Sequence, residues 1–166
     1  MMKLEIIATH EKKIDFVSKN LELFMGTSYS HNAIVVDEAV VYHATEKGFH
    51  KMPLSNLLLQ CDIRHRFEFV RPIPEFYYAH GWLDGCVGRE YSESQYFGFL
   101  FPFLKPMLQN GRKKTICSEV VADFMIDCLK IDDDRLSDAD WLTPKDIVAV
   151  CETHGIRSLK QVKPWP

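Results

Sequence analysis

Residues Ser30 to Thr45, SHNAIVVDEAVVYHAT, decide how the chain reads. Ala33 to Val36 and Val40 to Tyr42 are rich in β-branched residues and are parted by Asp37-Glu38-Ala39, which predicts a hairpin. His31 opens the first strand and shares a face with Ala33 and Val35, while His43 closes the second. If Asp37-Glu38-Ala39 forms the turn, the strands pair antiparallel and His43 sits opposite His31. A second stretch, TICSEVVADFM from Thr115 to Met125, reads as the start of an amphipathic helix. Thr115 is its expected cap, which puts Cys117 in the first turn.

These residue types belong together chemically. Unpaired N–H groups and the positive dipole end at a helix N-terminus favour a thiolate over a thiol. The same N–H groups can hold an oxyanion when a carbonyl is attacked. A thiol with two imidazoles on neighbouring strands supplies a nucleophile, a base and an orienter, which the fold must bring together from distant parts of the chain. Each residue also has a plainer reading. Cys117 alone is a core cysteine at the edge of an apolar stripe, His31 a strand-end imidazole bonded to backbone or water, and His43 a cross-strand polar contact. A zinc site of His31, His43 and Cys117 is chemically sound, but a structural zinc site wants two close ligand pairs, and the sequence has none. His10, His50, His65, His80 and His154 have no metal-cluster spacing, and Asp37, Glu38, Glu46 and Asp123 read as solvated charges.

Outward from these stretches, Ile14 to Met25 carries apolar residues at helical spacing and is ended by Gly26. KMPLSNLLLQC reads as a short helix or an irregular segment, and Arg66 to Ile73 as a strand ended by the prolines of RPIP. Glu75 to Leu83 reads as a helix stopping near Gly85, and Gly88 to Gly98 as a loop. Ile116, Val120, Val121, Phe124, Met125, Cys128 and Leu129 form one stripe, which extends the second helix from Thr115 to Leu129. DDDRLSDAD reads as a solvated acidic loop, Thr143-Pro144 starts a last helix through Val150, and the tail RSLKQVKPWP is extended.

The chain's 166 residues suit one α+β domain, 1–166, able to bury a core. Apolar residues make up 46% and charged residues 26%, which is ordinary for a globular protein. A net charge of -3 argues against nucleic acid as a partner. No hydrophobic run reaches the roughly 20 residues a bilayer span needs, and MMKLEIIATHEKK lacks the layout of a secretory signal. Cys61, Cys86, Cys117, Cys128 and Cys151 are odd in number and show no Cys-x-x-Cys pair, which fits a reducing, cytoplasmic compartment and four buried, inert thiols.

With those residues in place, SHNAIVVDEAVVYHAT followed by TICSEVV resembles the permuted papain-like superfamily of cysteine hydrolases. That group covers the YiiX/YaeF-like amidases, the lecithin retinol acyltransferases and their phospholipase-acyltransferase relatives, permuted kin of the NlpC-type cell-wall peptidases. The interval of twelve between His31 and His43 is similar to the acyltransferase pattern. Cys117-Ser118-Glu119, GREYSESQYFG and FMGTSYSH are similar to the YiiX-like branch. Asn32 and the acidic Asp37-Glu38 depart from the small, Gly-rich stretch usual there. Lys47 to Leu104 matches nothing closely and is expected to form substrate walls.

The resemblance implies a small antiparallel sheet carrying His31 and His43, packed on the Cys117 helix. It further implies Cys117 as nucleophile, His31 as base and acid, and His43 as orienter, with no metal and no cofactor. The backbone at Cys117 or Ser118 would hold the oxyanion, with Tyr29 and Tyr91 as candidate hydroxyl donors. The expected activity is an amidase, a peptidase or an acyltransferase on a small peptide, an amide or a lipid-like acyl group. Two alternatives are a binding or structural protein that keeps the fold without turnover, and a lipid acyltransferase meeting a membrane surface through Phe97, Phe99, Phe101 and Phe103.

Overall fold

The strand at the centre of the sheet, β1 (Met2–Glu11), is one that the hydrophobic pattern does not announce. Its neighbours explain why. β1 pairs antiparallel with β2 (His31–Val36) on one side and β5 (Cys61–Arg71) on the other, and both of its faces are covered. Leu4, Ile6 and Ala8 point one way and Ile7 the other, so apolar residues run together rather than alternating. Glu5 also points away from Leu4, buried at 1% exposure and gripped by Arg66 of β5 through two bonds of 2.6 and 2.8 Å.

The computed structural model describes residues 2–13, 16–71, 73–92 and 114–159, and its architecture is α+β. β3 (Val40–Thr45) and β4 (Gly48–Pro53) continue the meander from β2, and β8 (Arg157–Ser158) adds to β5, giving the order β4-β3-β2-β1-β5-β8 with every pairing antiparallel. The helices are α1 (Phe16–Met25), α2 (Leu54–Gln60), α3 (Ile73–Cys86), α4 (Cys117–Asp127) and α5 (Pro144–Thr153). β6 (Glu90–Tyr91) and β7 (Lys114–Thr115) form a short parallel pair. α3, α4 and α5 cover the face bearing Leu4, Ile34 and Tyr42 and build the main core with Phe76, Val120, Phe124 and Ile147. α2 lays Leu54 and Leu57 on the opposite face, over Ile7, Ala33, Val35 and Val41. Among the described residues no helix is long and apolar enough to cross a membrane.

The expected hairpin forms, and its turn shows why acidic residues replace glycine. Asp37 (φ 49°) and Glu38 (φ 58°) both adopt left-handed backbone, the φ pattern of a type I′ turn, and the Ala39 N–H donates to the Val36 carbonyl at 3.1 Å. Asp37 offsets the strain by tying to β1: the Lys3 N–H donates to Asp37 Oδ1 at 3.0 Å, and the Asp37 N–H to the Lys3 carbonyl at 2.9 Å.

Five features differ from the sequence expectation. KMPLSNLLLQC divides at Pro53 into the end of β4 and α2, and β5 starts five residues before Arg66. α3 passes through Gly85 to Cys86. α4 starts with Ile116 as cap in place of Thr115, and the carboxylate of Glu119 accepts from the Ile116 N–H at 3.3 Å. The acidic stretch is a 3-10 segment, Asp134–Trp141, because Leu136 is buried in the main core. Gly26 (φ 62°) ends α1 as expected, and Thr143-Pro144 opens α5. The run Phe97 to Phe103, most of GREYSESQYFG and the tail after Leu159 lie outside the described residues.

Candidate functional site

α4 enters the core at its first residue. Ile116 is buried against Leu21 and Met25 of α1, while Tyr91 of β6, level with Thr115 of β7 in the parallel ladder, packs on the same group. That clamp leaves Cys117 in the first position of the helix, at 4% exposure. The backbone N–H groups of Asn32, Ser118 and Cys117 itself act on its thiol. All three favour the thiolate, yet burial outweighs them and the thiol is held above its ordinary range. The thiolate expected at a helix N-terminus is therefore not the resting form; a neutral thiol is.

The Asn32 amide belongs to the peptide bond that joins it to His31. His31 itself shares its face with Ala33 and Val35, under α2, whereas α4 covers the other face of the sheet. Among the described residues, no hydrogen bond joins Cys117 to His31 or His43.

The two histidines do meet. His31 Nε2 lies 3.2 Å from His43 Nδ1, with the rings edge to face at 77°. The register is diagonal, which corrects the expectation of a directly opposed pair: Ile34, Val35 and Val36 pair with Tyr42, Val41 and Val40, and β3 and β2 part beyond Ile34. In place of His31, His43 faces His50 of β4 across the ladder. Burial first, and the neighbouring imidazoles second, lower His31 to about 4 and His43 to about 3, so both rings are neutral near pH 7. With Nε2 engaged by His43, Nδ1 is the nitrogen of His31 left for another partner.

The remaining candidates divide. Ser118 is fully buried and its hydroxyl donates to the Leu142 carbonyl, so only its backbone N–H reaches the sulfur. Tyr29 is buried with its ring edge-on to His65, centroids 4.9 Å apart. Burial, with Glu152 and Asp146 nearby, pushes its phenol up to about 12, so it can donate a proton but not serve as base. Tyr91 packs beside Ile116 at the helix start. Among the described residues no group of three or more His, Cys, Asp or Glu side chains is placed to hold a metal ion. Cys61, Cys86 and Cys151 are buried free thiols raised by burial, whereas Cys128 is only partly covered.

Two residues were not singled out by sequence. Asn32 is completely buried, and its Nδ2 donates to the Ile7 carbonyl at 3.4 Å while Oδ1 has no partner among the described residues. A polar residue inside the apolar strand HNAIVV was the available signal. His50 required the register of β4, and its stretch carries no strand pattern. Comparison with protein-family models, with curated proteins and with solved structures gives no match.

Proposed function

We propose that the protein is a cysteine-dependent acyl-transfer enzyme with a permuted papain-like arrangement, acting as an amidase or a related hydrolase through an acyl-thioester on Cys117. The observation that carries this reading is the pair of touching imidazoles, His31 and His43, the first on the strand whose Asn32 N–H acts with those of Cys117 and Ser118 on the Cys117 thiol. Nδ1 of His31 takes the thiol proton as sulfur attacks the carbonyl carbon and the C–S bond forms. The carbonyl electrons move onto oxygen, where the N–H groups of Cys117 and Ser118 stabilise the charge. As the oxyanion collapses, the bond to the leaving nitrogen or oxygen breaks and His31 returns the proton to it. Water, deprotonated by His31, then attacks the thioester carbon, the C–S bond breaks to release the acid, and His31 returns the proton to the Cys117 sulfur.

Two neutral partners can run this chemistry, because proton transfer accompanies attack and no resting thiolate is needed. The raised thiol and the lowered imidazole both favour the uncharged pair. His43 keeps the His31 ring in place through Nε2.

A second reading, a binding protein that keeps the constellation without turnover, draws on the 4% exposure of Cys117. One experiment separates the two. The protein is mixed with a short-chain p-nitrophenyl ester, and any acyl adduct is located by peptide mass spectrometry. The expected result is a hydroxylamine-sensitive adduct on Cys117, absent in Cys117→Ala and slowed about 100-fold or more in His31→Ala. An adduct spread over Cys128 and the other thiols, or none at all, overturns the enzyme reading.

A further inference from the structure

His50 has no part in the chemistry above, yet it completes a row of three imidazoles. It faces His43 across the β3–β4 ladder, with ring centroids 4.4 Å apart and planes tilted by 54°. Its own Nδ1 lies 3.0 Å from the Gly48 carbonyl. A carbonyl oxygen only accepts, so Nδ1 of His50 carries the hydrogen and Nε2 carries the lone pair. That anchor is rigid. Gly48 (φ 90°) sits so close to the next segment that a Cβ would lie 2.5 Å from the Arg89 carbonyl oxygen. Backbone bonds from Phe49 to Arg89 (2.9 Å) and from Gly88 to Phe49 (2.8 Å) lock the same spot.

The next ring in the row has an open question of hydrogen placement. His43 Nδ1 meets His31, while His43 Nε2 is buried without a partner among the described residues. One nitrogen of each neutral ring must carry hydrogen. For Nδ1 of His31 to receive a thiol proton, His31 must donate from Nε2, and His43 must accept at Nδ1. The hydrogen of His43 then lies on Nε2, beside the ring whose lone pair is fixed by Gly48.

We propose that His50 is a positioning residue for the His31–His43 pair: packed on His43 with its own tautomer set by Gly48, it selects the His43 tautomer that accepts from His31. The proposal deepens the acyl-transfer reading, on which its consequence for catalysis rests, while the imidazole geometry stands without it. The charges that act on His43 come from His31 on β2 and His50 on β4. α2, packed over the same face, contributes the apolar Leu54 and Leu57.

The test is a long-range proton–nitrogen correlation on the full chain with labelled histidine, across pH, for wild type, His50→Phe and His50→Gln. In wild type, His43 and His31 are expected to carry hydrogen on Nε2 and His50 on Nδ1. In His50→Phe, which keeps a ring but removes the titrating nitrogens, the His43 tautomer becomes mixed and His43 titrates about one pH unit higher. His50→Gln, whose carbonyl can accept, restores the tautomer but not the titration. Wild-type His43 found with its hydrogen on Nδ1 overturns the proposal before any variant is made. So does a His43 spectrum unchanged in His50→Phe. The acyl-adduct assay on Cys117 is independent of these spectra: a failed adduct with shifted imidazoles removes the enzyme and leaves His50 in its role, and the converse removes His50 alone.

Discussion

The two helix starts at α4 and α5 share a carboxylate, Glu119 or Asp146, that accepts the cap residue's N–H, and they differ in the cap side chain. α5 is sealed: the Asp146 N–H donates to Thr143 Oγ1 at 3.3 Å, the Thr143 N–H donates back to Asp146 Oδ2 at 2.8 Å, and Pro144 brings no N–H that needs a partner. α4 has Ile116 at the equivalent position, with no side-chain oxygen to offer. The N–H groups of Cys117 and Ser118, with that of Asn32 from the sheet, act instead on the Cys117 thiol. A sealed start is a stability device, whereas an open one keeps its donors for chemistry.

Closing the open start tests this most severely. Ser118→Pro removes one of the N–H groups at the sulfur, and proline is tolerated in a first helical turn. Acylation of Cys117 should fall about 100-fold or more, with the helix content retained by circular dichroism; an unchanged rate would separate the N–H groups from function. Ser118→Ala is the control. It keeps the N–H but strands the Leu142 carbonyl, so denaturant melts should show a loss of about 1–3 kcal/mol with little change in rate.

The imidazole side of the open start responds to acid. His31 (about 4) and His43 (about 3) are depressed from 6.5, so the unfolded chain takes up protons first as pH falls. Their share of stability is complete above about pH 6.5 and drains away as the pH drops toward 4 and below. Denaturant midpoints should decline through that window, and His43→Leu should flatten the decline. At the sealed start, Thr143→Ala should cost only about 1 kcal/mol, seen as a Tm lower by a few degrees, with the acylation rate untouched.

Much of this was legible in local pattern. The hairpin, α1 ended by Gly26, the cap at Thr143 and the approximate start of α4 follow from turn chemistry, capping and helical spacing. β1 did not, because it is covered on both faces and a strand of that kind loses its period-two signature. The buried Leu136 within DDDRLSDAD escaped for the opposite reason: one apolar residue among charges has no periodicity to read. At the site, the pairing of His31 with His43 was readable from their spacing and shared face. The charge state of Cys117 was not, since a helix terminus lowers a thiol and burial raises it, and only the fold decides which is greater. His50 depends on the register of β4, fixed by a turn at Glu46 and Lys47 that gives no glycine-led hairpin signal until Gly48.

The central place of β1 also sets an order of assembly. β1 gains its neighbour β2 early, but its other edge waits until β5 has been synthesised. Until then half of its backbone ladder is open, and pairings across such long separations are slow to close. By the time β5 is in place, the row of histidines on β2, β3 and β4 can already stand on a sheet that lacks only β8. The helix bearing Cys117 comes later in the chain and docks onto that sheet, so a nascent or truncated chain holds its imidazoles assembled while the thiol is still absent.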